Sequence, residues 1–236
     1  MAMGGYAATA ITAVTAQNTL GVHDILTLPV GLVRRQIAAV LDDIGADAIK
    51  TGMLGEADIV AAVADEITHR APGVPLVVDP VMVAKGGSAL LASSALDALR
   101  TRLLPLATLV TPNIPEAEAL LGRRIGDPVE AAMALRQFAS AVLLKGGHGE
   151  GEIVVDVLAH AHGVERIERP RIASRHTHGT GCTLASAIAA GLAQGMTLLD
   201  AVSRARDYVQ EAIRTAPGYG AGQGPLNHNA RVVQAP

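Results

Sequence analysis

The sequence predicts an α/β protein whose central sheet is mostly parallel and covered by helices on both faces. Apolar runs rich in β-branched residues alternate along the chain with amphipathic stretches of helical periodicity, a pattern typical of such sheets. Half of the 236 residues are hydrophobic and 17% are charged, which suits a compact chain rather than a disordered one. This length accommodates one large hydrophobic core, so we expect residues 1–236 to form a single domain.

The predicted strands are short apolar segments, and most of them end at a polar residue or a glycine. Strands of the main sheet are predicted at residues 7–14, 48–51, 76–79, 109–111 and 141–144. Two further strands, at 153–158 and 164–167, flank the sequence His160-Ala161-His162-Gly163 and predict a small antiparallel hairpin near one edge of the sheet. Helices are predicted at 29–44, 56–70, 93–103, 115–121, 128–139, 180–194 and 198–214, and a loop at 217–236.

The composition argues against several classes of partner. Aromatic residues make up 2% of the chain, too few for the stacking platforms of a single-strand nucleic-acid binder. The formal net charge is −3 and the basic residues are scattered, so no electrostatic footprint for nucleic acid exists. The single cysteine, Cys182, excludes an intrachain disulfide. No apolar run is long enough to span a bilayer, and residues 1–6 lack the basic region of a signal peptide, so we expect a cytoplasmic protein without a membrane partner.

The segment Gly179-Thr180-Gly181-Cys182 is the strongest local signal of function. It precedes a long alanine-rich helix, and the free N–H groups and dipole at a helix N-terminus stabilise an anion such as a phosphoryl group in transfer. The same field is expected to lower the pKa of the Cys182 thiol, which would then accept a proton from an attacking hydroxyl. A tight turn followed by a small buried cysteine explains the same residues without any function.

Other polar residues follow the predicted strands, where ligands bind in open α/β sheets. Asn113 and Glu116 have the spacing of a helix capping box, and Glu116 would also help to hold Mg²⁺ around ATP. Lys145 precedes two glycines and would contact a nucleotide phosphate, although a lysine at a strand end is more often simply solvated. Asp79 would lie near the metal or cap a loop. Gln17 offers the donor and acceptor that a heterocycle edge requires, although a lone glutamine after a strand is more often a loop residue.

Met53 would form an apolar wall for a ring, although most methionines belong to the core. The histidines show no spacing that predicts a metal site. They include His69, His148, His160, His162, His176, His178 and His228.

Six sequence blocks, which together contain the candidate site residues from Gln17 to Cys182, follow one another along the chain. They are residues 14–19, 50–54, 78–82, 111–117, 144–148 and 177–183. Together they resemble the hydroxymethylpyrimidine/phosphomethylpyrimidine kinases of thiamine biosynthesis, in the ribokinase-like superfamily, from about Gly4 to the C-terminal helices. Cys182 strengthens the resemblance, because most sugar kinases of this superfamily carry aspartate at that position.

The resemblance implies a ribokinase-like three-layer α/β/α fold and a typically homodimeric enzyme that uses ATP and Mg²⁺. It implies phosphorylation of 4-amino-5-hydroxymethyl-2-methylpyrimidine and then of its monophosphate, by positioning and charge neutralisation. The implied site has four parts. They are the pyrimidine pocket (Gln17, Met53, Val81), the nucleotide contacts (Lys145, Asn113, Thr180), the metal carboxylates (Glu116, Asp79), and the anion hole with its base (Gly179, Thr180, Gly181, Cys182).

The chain departs from this family pattern at two places. His176 stands where the family usually has asparagine. The family also begins with a strand and a loop rich in Gly, Ser and Asp, whose aspartate binds substrate, and nothing in this sequence matches that loop. Either an internal methionine has been taken as the start or the chain is truncated. For a truncated chain we expect an unpaired sheet edge, an open pocket, poor stability and weak or no kinase activity.

Three other functions remain open at this point. Pyridoxal and pyridoxine kinases share the fold and act on a similar ring with a hydroxymethyl group, and Gln17 and Met53 favour the pyrimidine only modestly. A chain without the N-terminal loop would alternatively be a non-catalytic binder of the pyrimidine or of nucleotide. Periodicity alone supports only a generic nucleotide-binding α/β domain.

Overall fold

The structure, a computed structural model, describes residues 2–82, 92–147 and 151–230. This part of the chain forms eight strands in two sheets. The strands are β1 (Ala13–Gln17), β2 (Val22–Thr27), β3 (Ile49–Thr51), β4 (Leu76–Val78), β5 (Leu109–Val110), β6 (Val142–Leu144), β7 (Ile153–His160) and β8 (Gly163–Pro170). The helices are α1 (Val30–Asp43), α2 (Ala57–Arg70), α3 (Ser93–Ala98), α4 (Ile114–Leu121), α5 (Pro128–Leu135), α6 (Thr180–Ala193) and α7 (Leu198–Arg214).

The large sheet has six strands in the order β3-β4-β5-β6-β7-β8, so spatial order follows chain order. Strands β3 to β6 are parallel, and β7 and β8 are antiparallel to their neighbours. The mostly parallel sheet and the hairpin at its edge are therefore confirmed. The hairpin is longer than predicted and turns at residues 161–162. Strand β3 ends the sheet on the opposite side, and no other described strand pairs with its outer edge.

Helices cover both faces of the large sheet. In β4, Leu76 and Val78 pack into a core shared with α1, α2, α4 and α5, whereas Val77 points into a second core shared with α6 and α7. This alternation is the two-residue period of a strand buried on both faces. The three-layer α/β/α arrangement is thus confirmed. Among the described residues, no helix has the length and apolar character needed to cross a membrane.

The strand predicted at residues 7–14 is wrong for its first six residues, which are not in a strand. The side-chain amide of Gln36 accepts from the Ile11 N–H at 3.0 Å and donates to the Ile11 carbonyl at 2.9 Å. A side chain of α1 therefore provides the hydrogen bonds that a neighbouring strand would supply. The strand begins at Ala13 and pairs with β2, which was not predicted, in a separate two-stranded sheet. The Asn18 carboxamide oxygen accepts from the N–H groups of Leu20 and Gly21 and fixes the turn between them.

Two helices differ from their predicted bounds. The helix predicted at 93–103 is α only to Ala98 and continues as a π turn at Leu99–Leu103 and a 3₁₀ turn at Leu104–Leu106. The helix predicted at 128–139 ends at Leu135 and gives way to turns. Residues 217–230 form the expected loop, tied to the molecule by a bridge between His178 and Pro225, and residues 231–236 lie outside the described chain.

Candidate active site

A cluster of charged side chains lies where three parallel strands end. Asp79 follows β4 and is 2% exposed, and Lys145 follows β6. The Lys145 Nζ lies 2.9 Å from Asp79 Oδ1 and 3.9 Å from Glu116 Oε2. Thr111, at the end of β5, donates its hydroxyl to Asp79 Oδ1 at 3.2 Å. The sheet therefore brings together residues that the sequence placed at separate strand ends.

Burial and charge act in opposite directions on this cluster. Burial disfavours the Lys145 ammonium, but the carboxylates of Asp79 and Glu116 outweigh this effect and raise the pKa of Lys145. Burial raises the pKa of Glu116 to about 7, although the Lys145 charge and the Asn113 N–H favour its ionised form. Glu116 therefore changes charge near neutral pH.

The capping interpretation of Asn113 and Glu116 is confirmed. The Asn113 carboxamide oxygen accepts from the Glu116 N–H at 2.9 Å, and Glu116 Oε2 accepts from the Asn113 N–H at 2.8 Å. Asn113 also forms a parallel bridge with Lys145. The cap that starts α4 thus also holds Glu116 within 3.9 Å of the Lys145 ammonium.

The glycine loop begins α6 directly against this cluster. Gly179 has a φ of 79°, in the left-handed region that favours glycine, and its carbonyl accepts from the Thr183 N–H at 2.8 Å. A Cβ on Gly181 would lie 3.1 Å from Lys145 Nζ and 3.6 Å from Asp79 Oδ2. The absence of a side chain at 181 therefore lets the N-terminus of α6 approach the charged cluster. The Thr180 hydroxyl donates locally to the Thr177 carbonyl at 2.7 Å.

The expected lowering of the Cys182 pKa is wrong. Desolvation by the surrounding protein raises the pKa of the thiol, and Asp79 raises it further by its charge and by accepting a hydrogen bond from the thiol. The charges of Lys50 and Lys145 act in the opposite direction but do not prevail. Cys182 is nevertheless accessible to solvent through the cavity described next.

A cavity of about 1230 Å³ opens beside the free edge of β3. It is bounded by α1, α2, β3, α6 and residues 2–10, and both Met53 and Cys182 line it. The other two predicted pyrimidine contacts do not. Gln17 is exposed at the end of β1, because the hairpin of β1 and β2 stands apart as its own sheet, and Val81 is half-buried after β4. The predicted pyrimidine residues are therefore only partly brought together.

Several residues at the site were not selected from the sequence. Lys50, on β3, lines the cavity together with Cys182. It belongs to the sequence block 50–54, but the sequence alone predicted no function for it. His228 also lines the cavity, and its Nε2 lies 3.1 Å from the Thr183 hydroxyl. Its position after the glycine-rich segment gave no sequence signal.

A buried ion pair supports the backbone next to Lys145. Asp156 is 0% exposed, accepts from the Gly146 N–H at 2.9 Å and lies 2.9 Å from the Arg206 Nε. A Cβ on Gly146 would overlap the Val155 carbonyl group, so the Lys145–Gly146 backbone lies directly against β7.

No three His, Cys, Asp or Glu side chains converge as a metal-ligand set within residues 2–82, 92–147 and 151–230. His148 lies outside the described residues. Asp79 and Glu116 offer two nearly buried carboxylates, which lie 2.9 Å and 3.9 Å from the Lys145 ammonium. This donor set suits Mg²⁺, which usually keeps water and phosphate oxygens as most of its ligands and uses one or two carboxylates.

Comparison with known proteins identifies relatives along nearly the whole chain. The family model for phosphomethylpyrimidine kinase matches residues 1–227. The hydroxymethylpyrimidine/phosphomethylpyrimidine kinase of Streptomyces coelicolor is 47% identical over 236 residues, which cover 97% of this chain and 85% of that protein. The thiamine biosynthesis bifunctional protein ThiED of Geobacter sulfurreducens is 49% identical over 230 residues, 96% of this chain. The chain spans about half of that bifunctional relative, 47% of its length.

Solved structures have the same fold. The phosphomethylpyrimidine kinase of Clostridium difficile 630 matches with a TM-score of 0.79 and 38% identity, covering 90% of this chain and 88% of that one. The pyridoxal kinase of Staphylococcus aureus in complex with AMP-PCP and pyridoxal matches with a TM-score of 0.88 and 30% identity, covering 97% of this chain and 84% of that one.

The three-layer fold, the glycine loop at the start of α6 and the lysine–carboxylate cluster beside it define a ribokinase-like kinase. Within that class, the chain belongs to the phosphomethylpyrimidine kinase family.

Proposed function

We propose that this chain transfers the γ-phosphoryl group of ATP to 4-amino-5-hydroxymethyl-2-methylpyrimidine and then to the resulting monophosphate, in thiamine diphosphate biosynthesis. The names of the relatives support both acceptors, and the complex of a pyridoxal kinase with AMP-PCP supports ATP as the donor. The observation that carries the proposal is the position of the glycine loop, which has the Lys145 cluster on one side and the cavity on the other.

The loop provides the anion-binding part of the site. The N–H groups of Gly181 and Cys182, in the first turn of α6, have no acceptor four residues back within the helix and would bind the phosphoryl oxygens with that of Gly179. The Thr180 N–H donates to the Thr177 carbonyl at 3.4 Å and would join them by exchanging this partner for phosphate. Lys145 would neutralise phosphate charge, and Asn113 would contact the nucleotide. Because such transfer needs positioning and charge neutralisation above all, these groups account for most of the expected catalysis.

Glu116 and Asp79 would hold Mg²⁺, in part through water, because they are the nearly buried carboxylates of the cluster. The bound ion would supply positive charge that neutralises the phosphates of ATP. Lys145 already compensates Asp79 at 2.9 Å, so Glu116, at 3.9 Å from that ammonium, is the freer ligand.

Cys182 would accept the acceptor hydroxyl's proton as its oxygen bonds to the γ-phosphorus and the bond to ADP breaks. Since the pKa of the thiol is raised, only a small fraction is thiolate at neutral pH. Activity with the alcohol should therefore keep rising with pH through and beyond the ordinary thiol range of about 8–9. Cys182→Ala should lose this alkaline rise. Unchanged ATP turnover in that variant would exclude Cys182 as the base.

The acceptor ring would bind in the cavity against Met53. Gln17 and Val81, which lie outside the cavity, stay proposed contacts of the ring on the strength of the family resemblance. We also propose a homodimer, because Val14 and Leu26 lie opposite each other on that hairpin and are 52% and 66% exposed. A cytoplasmic location is proposed from the ATP donor and the lone cysteine, and cell fractionation would test it.

The decisive experiment measures ADP release by this 236-residue chain with ATP, Mg²⁺ and hydroxymethylpyrimidine. Acceptor-dependent ADP release would establish the kinase, and the product should then serve as the second acceptor. Binding of the pyrimidine or ATP without turnover would instead favour a non-catalytic binder.

A second candidate acceptor is pyridoxal or pyridoxine. It is favoured by the likeness to the pyridoxal kinase of Staphylococcus aureus, with a TM-score of 0.88. Comparison of kcat/KM for the two alcohols separates the candidates, and a higher value for pyridoxal would reverse our assignment.

A further inference from the structure

Lys50 lies on the face of the sheet that carries the catalytic loop. It pairs in register with Val77 in the parallel ladder of β3 and β4, and Val77 packs in the core formed by α6 and α7. Neighbouring residues that pair across parallel strands point to the same face. Lys50 therefore points toward α6, and it lines the cavity together with Cys182 and Thr183.

The Lys50 ammonium differs from that of Lys145 in having no carboxylate partner among the described residues. Lys145 is held by Asp79 and Glu116, whereas Lys50 forms no ion pair in that part of the chain, even with Asp47, which borders the same cavity. Its side chain is half-buried and folds over Gly52, where a Cβ would lie 2.7 Å from the Nζ. A half-buried cation without a counter-charge suits an anionic ligand.

The Lys50 charge also acts on the place where the acceptor reacts. The pKa of Cys182 is raised first by desolvation, and Lys50 is the strongest of the charges that oppose this rise. An acceptor oxygen held next to Cys182 would therefore lie within the field of Lys50 as well.

We propose that Lys50 binds the phosphate group of the monophosphate acceptor and thereby favours the second phosphoryl transfer. This inference rests on the proposed function, in which a hydroxyl and then a phosphate monoester serve as acceptors. The two acceptors differ in charge: the hydroxyl is neutral and must lose a proton, whereas the monoester is close to a dianion at pH 7. In the second transfer an ionised phosphate oxygen bonds to the γ-phosphorus, the bond to ADP breaks, and no hydroxyl proton has to be removed.

The test compares Lys50→Met and Lys50→Arg with the wild type, using the alcohol and the monophosphate as separate acceptors. Loss of a charge-assisted contact predicts that Lys50→Met raises the KM for the monophosphate about tenfold or more and changes the KM for the alcohol less than about threefold. The kcat for the alcohol should fall in this variant, because the Cys182 thiolate loses a stabilising charge. Lys50→Arg should recover most of the affinity for the monophosphate. Cys182→Ala should show the opposite preference and impair the alcohol reaction more.

Two further variants guard against misfolding and against a general charge effect. Gly52→Ala places a methyl group against the Lys50 Nζ and should weaken the monophosphate reaction selectively while leaving the lysine in place. Arg166→Met removes an exposed cation on β8, far along the sheet from β3, and should leave both reactions unchanged. Titration calorimetry with the monophosphate in the absence of ATP gives a second readout that needs no turnover.

If Lys50→Met raises the KM equally for both acceptors, or raises it for neither, the inference is overturned while the kinase function stays intact. A wild-type chain that phosphorylates the alcohol but neither binds nor phosphorylates the monophosphate would overturn it too. Absence of turnover and of binding for both acceptors in the wild type would instead remove the proposed function itself.

Discussion

At the scale of single residues, opposite charges rather than solvent hold the Lys145 side chain. This side chain is 13% exposed, and its ammonium lies 2.9 Å from Asp79 and 3.9 Å from Glu116. Removal of one partner from such a group is costly, because the remaining charge stays buried. The ionised form of Glu116 is already destabilised in the folded protein, because its pKa of about 7 reflects desolvation that the Lys145 charge only partly offsets.

The raised pKa of Glu116 predicts a pH-dependent effect of Glu116→Gln on stability. Folded Glu116 binds its proton more tightly than unfolded Glu116, so the wild type loses stability as pH rises from about 4.5 to about 7. Glutamine preserves the cap and stays neutral. The variant should therefore gain about 3 kcal/mol relative to the wild type between pH 4.5 and pH 8.

Urea unfolding at several pH values measures this difference. Glu130→Gln, an exposed change on α5, should show no such trend. A difference between Glu116→Gln and the wild type that does not vary with pH would contradict the prediction. Activity of Glu116→Gln should fall at every pH if Glu116 helps to hold Mg²⁺.

At the scale of elements, the contact between the end of β6 and β7 fixes the position of Lys145. Asp156 of β7 accepts from the Gly146 N–H, and Gly146 lies against the Val155 backbone. The hairpin formed by β7 and β8 was predicted from the sequence, but this support for the backbone next to Lys145 was not. A strand pattern gives the face on which a residue lies, and the closeness of two backbones follows only from the assembled sheet.

Gly146→Ala should separate Lys145 from Asp79 because the added methyl group overlaps the Val155 carbonyl. We expect a loss of about 1–3 kcal/mol in the free energy of unfolding, typical of overpacking, together with at least a tenfold fall in kcat. Gly147→Ala is the matched control, since nothing lies within 4 Å of a Cβ at that position. Equal behaviour of the two variants in thermal unfolding and ATP turnover would show that the contact with β7 is unimportant.

At the scale of the whole molecule, the two sheets have different environments. The large sheet is covered on both faces, whereas the β1–β2 hairpin exposes Val14, Leu20, Ile25 and Leu26. Exposed apolar side chains concentrated on one small sheet are typical of an interaction surface. The outer edge of β3 pairs with no other described strand, and the cavity lies beside it.

The homodimer proposal predicts that Leu26→Glu shifts the protein to a monomer, because the charge would be buried in the interface opposite Val14. Light scattering after size-exclusion chromatography measures the mass directly. Met133→Glu changes a side chain that is 48% exposed on α5 and should leave the mass unaltered. A wild-type chain that is monomeric at all concentrations would contradict the proposal.

The sequence by itself determined the order of the main-sheet elements, the hairpin at its edge, the cap at Asn113 and the loop that starts α6. These features depend on residues close together in the chain, such as Asn113 with Glu116 or Gly179 with the helix that follows. For the same reason, the ordered blocks were sufficient to indicate the family. The extent of the domain stays a prediction.

The tertiary structure alone decided the hydrogen bonds of Ile11, the separate sheet of β1 and β2, the location of Gln17 outside the cavity and the direction of the Cys182 pKa shift. Each of these depends on groups far apart in sequence. Lys145 and Asp79 are separated by 66 residues, yet their 2.9 Å contact sets much of the charge at the site. Local chemistry determines where a helix begins, whereas the balance between desolvation and charge exists only once the chain has folded.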